Sequence, residues 1–277
     1  MWTINRIIET GNLPKLDSLT KYPSILTYHN LGQKGGMVDS LVDDKRFEGK
    51  VEITEKVDGT NFRLVVLGDD KSNDFLVGKR DSLLYAKGDR IMTESLVQTV
   101  LDSCKPYLDY IEKSPVSSLY VIFGEVYGDN VQRGAKQYCG SEKRKGFRVF
   151  DVAVFSQEDL DEVFSYDLHK IAAWREAGMN KFMDTSSLAD FCNRHHLERT
   201  PIWGEIDASE IPVQVEETLD WMEKNFTQSR STFGEKPENA NPLFGRAEGI
   251  VIRTPDRSMI RKLRFEDYRK GKLKGWV

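Results

Sequence analysis

Lys56 and Asp58 stand where a predicted strand breaks into a turn. Residues 51–58, VEITEKVD, alternate between apolar and polar side chains, which predicts a half-buried strand. The Gly59-Thr60-Asn61 sequence signals a turn, and the alternation restarts at Phe62. A lysine beside an acid at a strand end is usually a solvated ion pair of little energetic value. The alternative is a nucleophile held close to an anionic substrate.

The composition is that of a folded protein outside membranes. The chain has 277 residues, of which 39% are hydrophobic and 30% charged, so it can bury a core as one large domain or two small ones. No apolar run approaches the roughly 20 residues that cross a bilayer. The N-terminal sequence lacks the apolar core of a signal peptide. We therefore expect a cytoplasmic protein.

The cysteines and histidines do not favour zinc chemistry. The three cysteines lack metal-ligand spacing, and an odd number of them is typical of free thiols in a reducing compartment. The four histidines form no i,i+4 pair.

Two stretches are strongly basic, although the net charge is −4. Residues 133–148 carry six basic side chains and one acidic side chain, and residues 261–274 carry seven and two. Such stretches either form ordinary solvated surface or attract phosphate groups.

The predicted elements indicate an α+β fold. Residues 1–45 are rich in turn signals, and helical spacing of apolar residues runs from 97 to 111. The segments 118–128 and 147–155 are typical of central strands, residues 166–226 are mostly helical, and strands return at 248–254 and 258–265. Strands thus surround a helical insertion.

Charged residues recur at the ends of five predicted strands. They are Lys56 with Asp58, Lys79 with Arg80, Glu125, Glu248, and Lys262 with Arg264. A carboxylate at the end of an apolar strand costs free energy unless it is paired or binds a cation. Several such carboxylates, mixed with basic residues, predict a cleft for an anionic ligand and a hard metal ion.

Five motifs follow one another along the chain: KVDGTN (56–61), FGEVYG (123–128), FRVFDV (147–152), EGIVIR (248–253) and IRKLRF (260–265). In this order they resemble motifs I, III, IIIa, IV and V of the covalent nucleotidyltransferase superfamily of polynucleotide ligases and capping enzymes. EKVDGTNF (55–62), Lys79-Arg80, Gln132-Arg133 and TPIWG (200–204) resemble ATP-dependent RNA ligases of the nick-sealing and RNA-editing type. The implied fold is a nucleotidyltransferase (ATP-grasp-like ligase adenylation) domain with central antiparallel sheets and flanking helices.

The resemblance implies ATP and Mg²⁺ (or Mn²⁺) as cofactors and Lys56 as the nucleophile. Lysyl-AMP would form, AMP would pass to an RNA 5′-phosphate, and a 3′-hydroxyl would displace it. A free lysine side chain has a pKa of about 10.4, so the amine needs neighbours that disfavour its charged form. Asp58 alone would favour the charged ammonium form of Lys56. Lys262, Arg264 and the metal would oppose this effect.

The remaining roles follow from the same resemblance. Glu55 would lie at the adenine, and Phe150 would stack on the base or serve as a plain core aromatic residue. Glu125 would bind the ribose hydroxyls. Asn61 and Arg80 would reach sugar and phosphate oxygens, Glu248 would bind the metal, and Lys262 and Arg264 would grip the phosphates.

Two positions depart from the usual pattern. RNA ligases of this branch often have histidine where this chain has Asp58, which matches the wider ligase pattern. Motif V usually ends Lys-x-Lys, whereas here Arg264 follows Lys262-Leu263, and arginine keeps the charge with a different geometry.

The leading hypothesis is an RNA ligase that joins 5′-phosphate and 3′-hydroxyl ends. A partner protein that heals or holds the RNA ends is compatible with this hypothesis. We expect one adenylyltransferase domain over 1–277 without an appended C-terminal oligonucleotide-binding domain, since 13 residues follow Arg264. That expectation disfavours the alternatives of DNA nick ligation and GTP-dependent capping. A third alternative is a catalytically dead module that binds nucleic acid.

Overall fold

The computed structural model describes residues 1–32, 35–68, 73–91, 95–114, 116–132, 135–177 and 181–272. They form two compact units, each built from three segments. Unit 1 contains residues 1–24, 60–126 and 145–199, and unit 2 contains residues 25–59, 127–144 and 200–277. Arg133, Gly178 as a helix end, and residues 273–274 of the second basic stretch lie outside the described residues.

Helices and strands are both abundant, which confirms the α+β class. The α-helices of the described chain are α1 (Ile4–Glu9), α2 (Leu13–Leu19), α3 (Leu96–Ile111), α4 (Ala135–Tyr138), α5 (Gln157–Phe164), α6 (Leu168–Glu176), α7 (Thr185–Arg194), α8 (Val215–Asn225) and α9 (Phe265–Lys272). The strands are β1 (Leu26–Thr27), β2 (His29–Leu31), β3 (Met37–Leu41), β4 (Lys50–Lys56), β5 (Thr60–Gly68), β6 (Asn73–Lys79), β7 (Leu83–Ala86), β8 (Leu119–Gly128), β9 (Lys145–Phe155), β10 (Ile202–Asp207), β11 (Gly249–Arg253) and β12 (Ile260–Arg264). None of the described helices combines the length and the apolar character that crossing a membrane requires.

Unit 1 is built on a five-stranded sheet of order β7-β6-β5-β8-β9. Strand β5 pairs antiparallel with both β6 and β8. Apolar residues of α1 and α2 pack with the sheet and α5 in one core, because Ile7, Leu16 and Val65 are all fully buried there. The predicted helix at 97–111 is α3, which begins after Ser95 as its N-cap.

Unit 2 is built on a second five-stranded sheet, of order β1-β12-β11-β4-β10, and on the separate β2–β3 ladder. The neighbours of β4 and β11 are antiparallel, whereas β1 runs parallel to β12. Ile53, Ile250 and Leu263 of this sheet share a core with Leu219 and Met222 of α8. Central antiparallel sheets with flanking helices are therefore confirmed.

Three local predictions were wrong. The first 45 residues contain two helices and three strands rather than mainly turns, and β10 was not predicted. Strand β4 is buried on both faces instead of one. Its polar face is buried because Arg253 Nη1 donates to Thr54 Oγ1 at 2.7 Å and Arg257 lies 3.7 Å from the Glu52 carboxylate, so the polar side chains have buried partners.

Candidate active site

The register of three strands places Lys56, Lys262 and Arg264 on the same face of the unit 2 sheet. Gly249 of β11 lies opposite Lys56 of β4 and Arg264 of β12. Two residues along, Val251 lies opposite Thr54 and Lys262. Since side chains two apart on a strand and directly across a ladder share a face, the three cations project to one side.

Glu248 lies against the candidate nucleophile. The Lys56 Nζ atom is 2.5 Å from Glu248 Oε2, and Arg264 Nη1 is 3.9 Å from Glu248 Oε1. Arg264 also donates to both oxygens of Asp267, at 2.7 and 2.8 Å. The residue after Glu248 must be glycine, because a Cβ at Gly249 would lie 2.0 Å from the Leu263 carbonyl oxygen. This close approach brings motifs IV and V together.

Burial shapes the acid–base properties of the two carboxylates in this group. It raises the pKa of Glu248, and the nearby Lys56 and Arg264 act against that rise. It also raises the pKa of Asp58, again opposed by Lys56 and Arg264. The cluster therefore disfavours negative charge unless cations lie next to it.

Tyr138 fixes the turn that follows Lys56. The Asp58 backbone N–H donates to the Tyr138 hydroxyl at 2.5 Å, and burial raises the pKa of that phenol well above its ordinary value. The Tyr138 ring packs in a small cluster with Val57, Tyr127 and Phe233. No local sequence pattern predicts this contact, which joins residues 80 positions apart.

Glu55 points to the opposite face from Lys56, and Ser229 and Arg230 are among the residues that hold it. It is 1% exposed. Ser229 Oγ donates to its Oε1 at 2.6 Å, and the Arg230 backbone N–H donates to its Oε2 at 2.8 Å. The Arg230 guanidinium lies 4.0 Å from the centre of the Trp203 ring and donates to the Ile202 carbonyl at 2.7 Å. Sequence reasoning found Glu55 but missed the residues that orient it.

In unit 1, Asn61 and Glu125 lie directly opposite each other on β5 and β8. Cross-strand partners point to the same face, so the two predicted sugar-binding side chains are neighbours. Asn61 Oδ1 is buried and accepts no hydrogen bond within the described chain. A buried acceptor without a partner is costly and is satisfied when a ligand donates to it.

Arg80 follows β6, and its side chain is exposed. The backbone around it is held by Arg63, which has the largest fully buried side chain among the described residues. Arg63 donates to the Lys79 and Arg80 carbonyls and, at 2.6 Å, to Asp17. Burial lowers the pKa of Arg63 to about 10, against the effect of Asp17. The sequence did not predict that Arg63 holds the backbone at Lys79 and Arg80.

Phe150 is half-buried on β9 and meets Tyr22 edge to face, with ring centroids 4.8 Å apart. The Tyr22 hydroxyl donates to Asp151, the next residue, which is fully buried. The ring is thus packed against unit 1 on one side and retains some exposure, which fits both predicted roles, base stacking and core packing.

The basic stretches have more internal partners than expected. Arg261 lies 3.2 Å from Asp43, Arg269 3.0 Å from Glu223 and Lys270 2.6 Å from Glu266. In the other stretch, Arg144 packs over the Phe233 ring and Arg148 lies 3.6 Å from Glu198. These pairs reduce the charge available to an outside phosphate.

The sequence profile of the RNA ligase family matches residues 49–271, which include every predicted site residue. The chain belongs to the RNA ligase family. The family resemblance of its motifs is thereby confirmed. No curated protein sequence matches this RNA ligase family member.

Solved structures of a Naegleria gruberi RNA ligase have the same fold. The structure with PPi is 15% identical, with a TM-score of 0.55, and the match covers 92% of this chain and 59% of that one. A lysine-to-alanine variant with ATP and Mn is 15% identical, with a TM-score of 0.56 and coverage of 91% and 58%. A glutamate-to-alanine variant with AMP and Mn is 16% identical, with a TM-score of 0.55 and coverage of 91% and 58%. This family member thus spans about three fifths of the length of those chains.

The predicted site residues of this RNA ligase family member fall into two groups. Unit 2 contains Glu55, Lys56, Glu248, Lys262 and Arg264, of which Lys56, Glu248 and Arg264 are in contact. Unit 1 contains Asn61, Arg80, Glu125 and Phe150, of which Asn61 and Glu125 are paired in register.

Proposed function

We propose that this protein is an ATP-dependent RNA ligase that forms a lysyl-AMP intermediate on Lys56. The observation that carries the proposal is the 2.5 Å contact between Lys56 and Glu248, on the sheet face that also bears Lys262 and Arg264. A nucleophilic amine, a carboxylate and two further cations in one place suit attack on a phosphate ester.

The proposed reaction has three steps. The Lys56 amine attacks the α-phosphorus of ATP, so that a P–N bond forms, a P–O bond breaks and pyrophosphate leaves. The RNA 5′-phosphate then attacks the same phosphorus, breaking the P–N bond and forming a P–O–P link. A 3′-hydroxyl attacks the RNA phosphate, forms the phosphodiester and releases AMP. Lys262 and Arg264 stabilise the charge that develops on the transferred phosphate.

The residues of unit 2 fit a divalent cation that ATP helps to bind. The described residues contain no group of three or more acidic, histidine or cysteine side chains arranged for a metal. Glu248 and Asp58 nevertheless line one pocket, and Mg²⁺ typically takes one or two carboxylates together with substrate phosphates. Such an ion, whether Mg²⁺ or Mn²⁺, would neutralise phosphate charge when bound. Glu248 would then no longer be needed as the counter-ion of the Lys56 ammonium.

Nucleotide recognition would involve Glu55. This carboxylate accepts hydrogen bonds from Ser229 and from the Arg230 backbone, and it would accept another from the adenine amino group, whereas the carbonyl of guanine would repel it. Asn61, Arg80, Glu125 and Phe150 would bind the sugar, phosphates and base. Because motifs I to V are spread over residues 56–265, we propose that residues 1–277 act as one adenylyltransferase domain.

Covalent labelling tests the proposal directly. The purified protein is incubated with Mg²⁺ and α-labelled ATP or GTP, and the protein is resolved on a denaturing gel. We expect label from ATP and little from GTP, because of Glu55. Addition of 5′-phosphorylated RNA should remove the label and yield joined RNA.

Two lysine variants complete this test. Lys56→Ala should abolish the label, whereas Lys50→Ala, which changes an exposed lysine at the other end of β4, should keep it. Equal labelling of both variants would contradict the assignment of the nucleophile. Label from GTP alone would favour a capping activity, and sealing of nicked DNA but not RNA would favour a DNA ligase.

A further inference from the structure

Unit 2 contains an open pocket of about 880 Å³ beside the candidate nucleophile. Asp58 and Glu248 line it near Lys56, and Phe265 and Arg269 of α9 line it as well. Its volume is in the range of pockets that bind small molecules and cofactors. The proposed metal would lie at the Asp58 and Glu248 side of this pocket, and the basic side chains that line it have been given no role so far.

The charged side chains that line the pocket largely neutralise one another. Four are acidic and three are basic: Asp58, Glu223, Glu248, Glu266, Arg246, Arg269 and Lys270. Glu223 pairs with Arg269 at 3.0 Å, Glu266 pairs with Lys270 at 2.6 Å, and Glu248 pairs with Lys56. Arg246 differs, because its exposed guanidinium has no hydrogen-bond or ion-pair partner anywhere in the described parts of the chain.

The backbone of Arg246 is fixed on both sides, in contrast to its side chain. Its N–H donates to the Leu243 carbonyl at 3.0 Å, and its carbonyl accepts from Gln137 Nε2 at 3.1 Å. It also forms an antiparallel bridge with Gln228. The next residue, Ala247, donates to the Thr227 carbonyl at 2.9 Å. Because this backbone is already fixed, only the Arg246 side chain would have to become ordered when an anion binds, which lowers the entropic cost of binding.

We propose that Arg246 binds a phosphate group of the substrates in this pocket, two residues before Glu248. Guanidinium binds phosphate through two parallel hydrogen bonds, and no competing carboxylate holds this one. The phosphate belongs either to the RNA strand or to the triphosphate tail of ATP, since both carry phosphate to the reacting lysine under the proposed function, on which this inference rests. Arg246 is therefore assigned to substrate binding.

Equilibrium binding tests this assignment without depending on catalysis. Dissociation constants are measured for a 5′-phosphorylated oligoribonucleotide and for inorganic pyrophosphate, each with Mg²⁺, using the full chain. We expect Arg246→Ala to weaken at least one of them by about tenfold to a hundredfold, the usual effect of losing a charge-assisted hydrogen bond. Arg246→Lys should recover part of the loss, because it keeps the charge but not the fork of donors.

The two probes identify the source of the phosphate. Weaker binding of the oligoribonucleotide, with a salt slope reduced by about one charge, assigns Arg246 to the RNA strand. Weaker binding of pyrophosphate assigns it to the triphosphate tail. Arg194→Ala, which removes an exposed arginine of α7, is the matched control and should change neither constant.

Unchanged dissociation constants for both probes in Arg246→Ala would overturn the proposal. Thermal unfolding of the variant should match that of the wild type, because the side chain of Arg246 forms no hydrogen bond or ion pair within the described chain. Failure of the wild type to label itself from ATP would instead contradict the proposed function, and the binding constants would still decide the role of Arg246.

Discussion

The Lys56 amine and the Glu248 carboxylate are in direct contact, with Nζ and Oε2 2.5 Å apart. They come from motifs separated by 192 residues, and the pairing of β11 with β4, in which Gly249 lies opposite Lys56, brings them together. Each of the two groups is the counter-ion of the other. A divalent cation held by Glu248 would remove the negative group that lies against Lys56.

This pairing predicts the effect of changing Glu248. Glu248→Ala should slow lysyl-AMP formation by about a hundredfold or more, the usual cost of losing one electrostatic group from an active site. Glu248→Asp should recover part of the rate when Mg²⁺ or Mn²⁺ is raised, since a shorter carboxylate still binds metal. The rates come from single-turnover labelling at several metal concentrations. Full activity of Glu248→Ala would remove Glu248 from the site, and Glu235→Gln, an exposed change in unit 2, should have no effect.

A second prediction concerns selection of the base. Ser229 donates to Glu55, so Ser229→Ala should loosen that carboxylate and lower the preference for ATP over GTP, by about tenfold if one hydrogen bond to a charged group is lost. The measurement is the ratio of labelling rates with the two nucleotides. Ser231→Ala is the control, because the buried Ser231 hydroxyl has no partner within the described residues. An equal change of the ratio in both variants would show that Ser229 acts only through packing.

The motif residues could be selected from the sequence because each motif is a short continuous segment with a recognisable pattern. The alternation of residues 51–58 predicted a strand, and the motif order marked Lys56, Glu248 and Lys262 as candidate site residues. The same reasoning failed on the polar face of β4, since alternation predicts exposure and does not show that Arg253 and Arg257 cover that face.

The supporting contacts could not be predicted because they join distant segments. Tyr138 binds the backbone of Asp58 across 80 residues, and Ser229 binds Glu55 across 174. Serine and tyrosine in polar or loop sequence give no local pattern that distinguishes such partners from ordinary surface residues. Only the tertiary structure identifies them.

A third prediction concerns Arg63, which supports the segment that carries Arg80. Arg63→Met keeps the volume but leaves Asp17 without its buried partner and two carbonyls without a donor. The free energy of unfolding should fall by about 3 kcal/mol, as is typical when one member of a buried pair is removed. Chemical denaturation measures it.

An exposed ion pair in unit 1 provides the control for the Arg63 variant. Lys105→Met breaks the pair between Lys105 and Asp109, both on the surface of α3, and should leave unfolding nearly unchanged. If Arg63→Met were equally harmless, the hydrogen bonds of the buried guanidinium to the Lys79 and Arg80 carbonyls would not stabilise this segment.

The last prediction is a pH dependence of stability that arises from His29. This side chain is fully buried, with Nδ1 2.7 Å from the Tyr268 hydroxyl and Nε2 2.9 Å from the Val213 carbonyl. Burial lowers the pKa of His29, against the opposing effects of the Val213 carbonyl and Asp39. The folded protein therefore holds a neutral imidazole where the unfolded chain, with a pKa of about 6.5, binds a proton more readily.

The sign of the effect follows from this difference in proton binding. The stabilisation is complete above the unfolded pKa and is lost as the pH falls below it towards the lowered pKa of folded His29. Free energies of unfolding measured across this range should decrease with acid for the wild type and less steeply for His29→Gln, which cannot take up the proton. His169→Gln, an exposed change, should retain the wild-type slope. Equal slopes for His29→Gln and the wild type would mean that other groups cause the acid sensitivity.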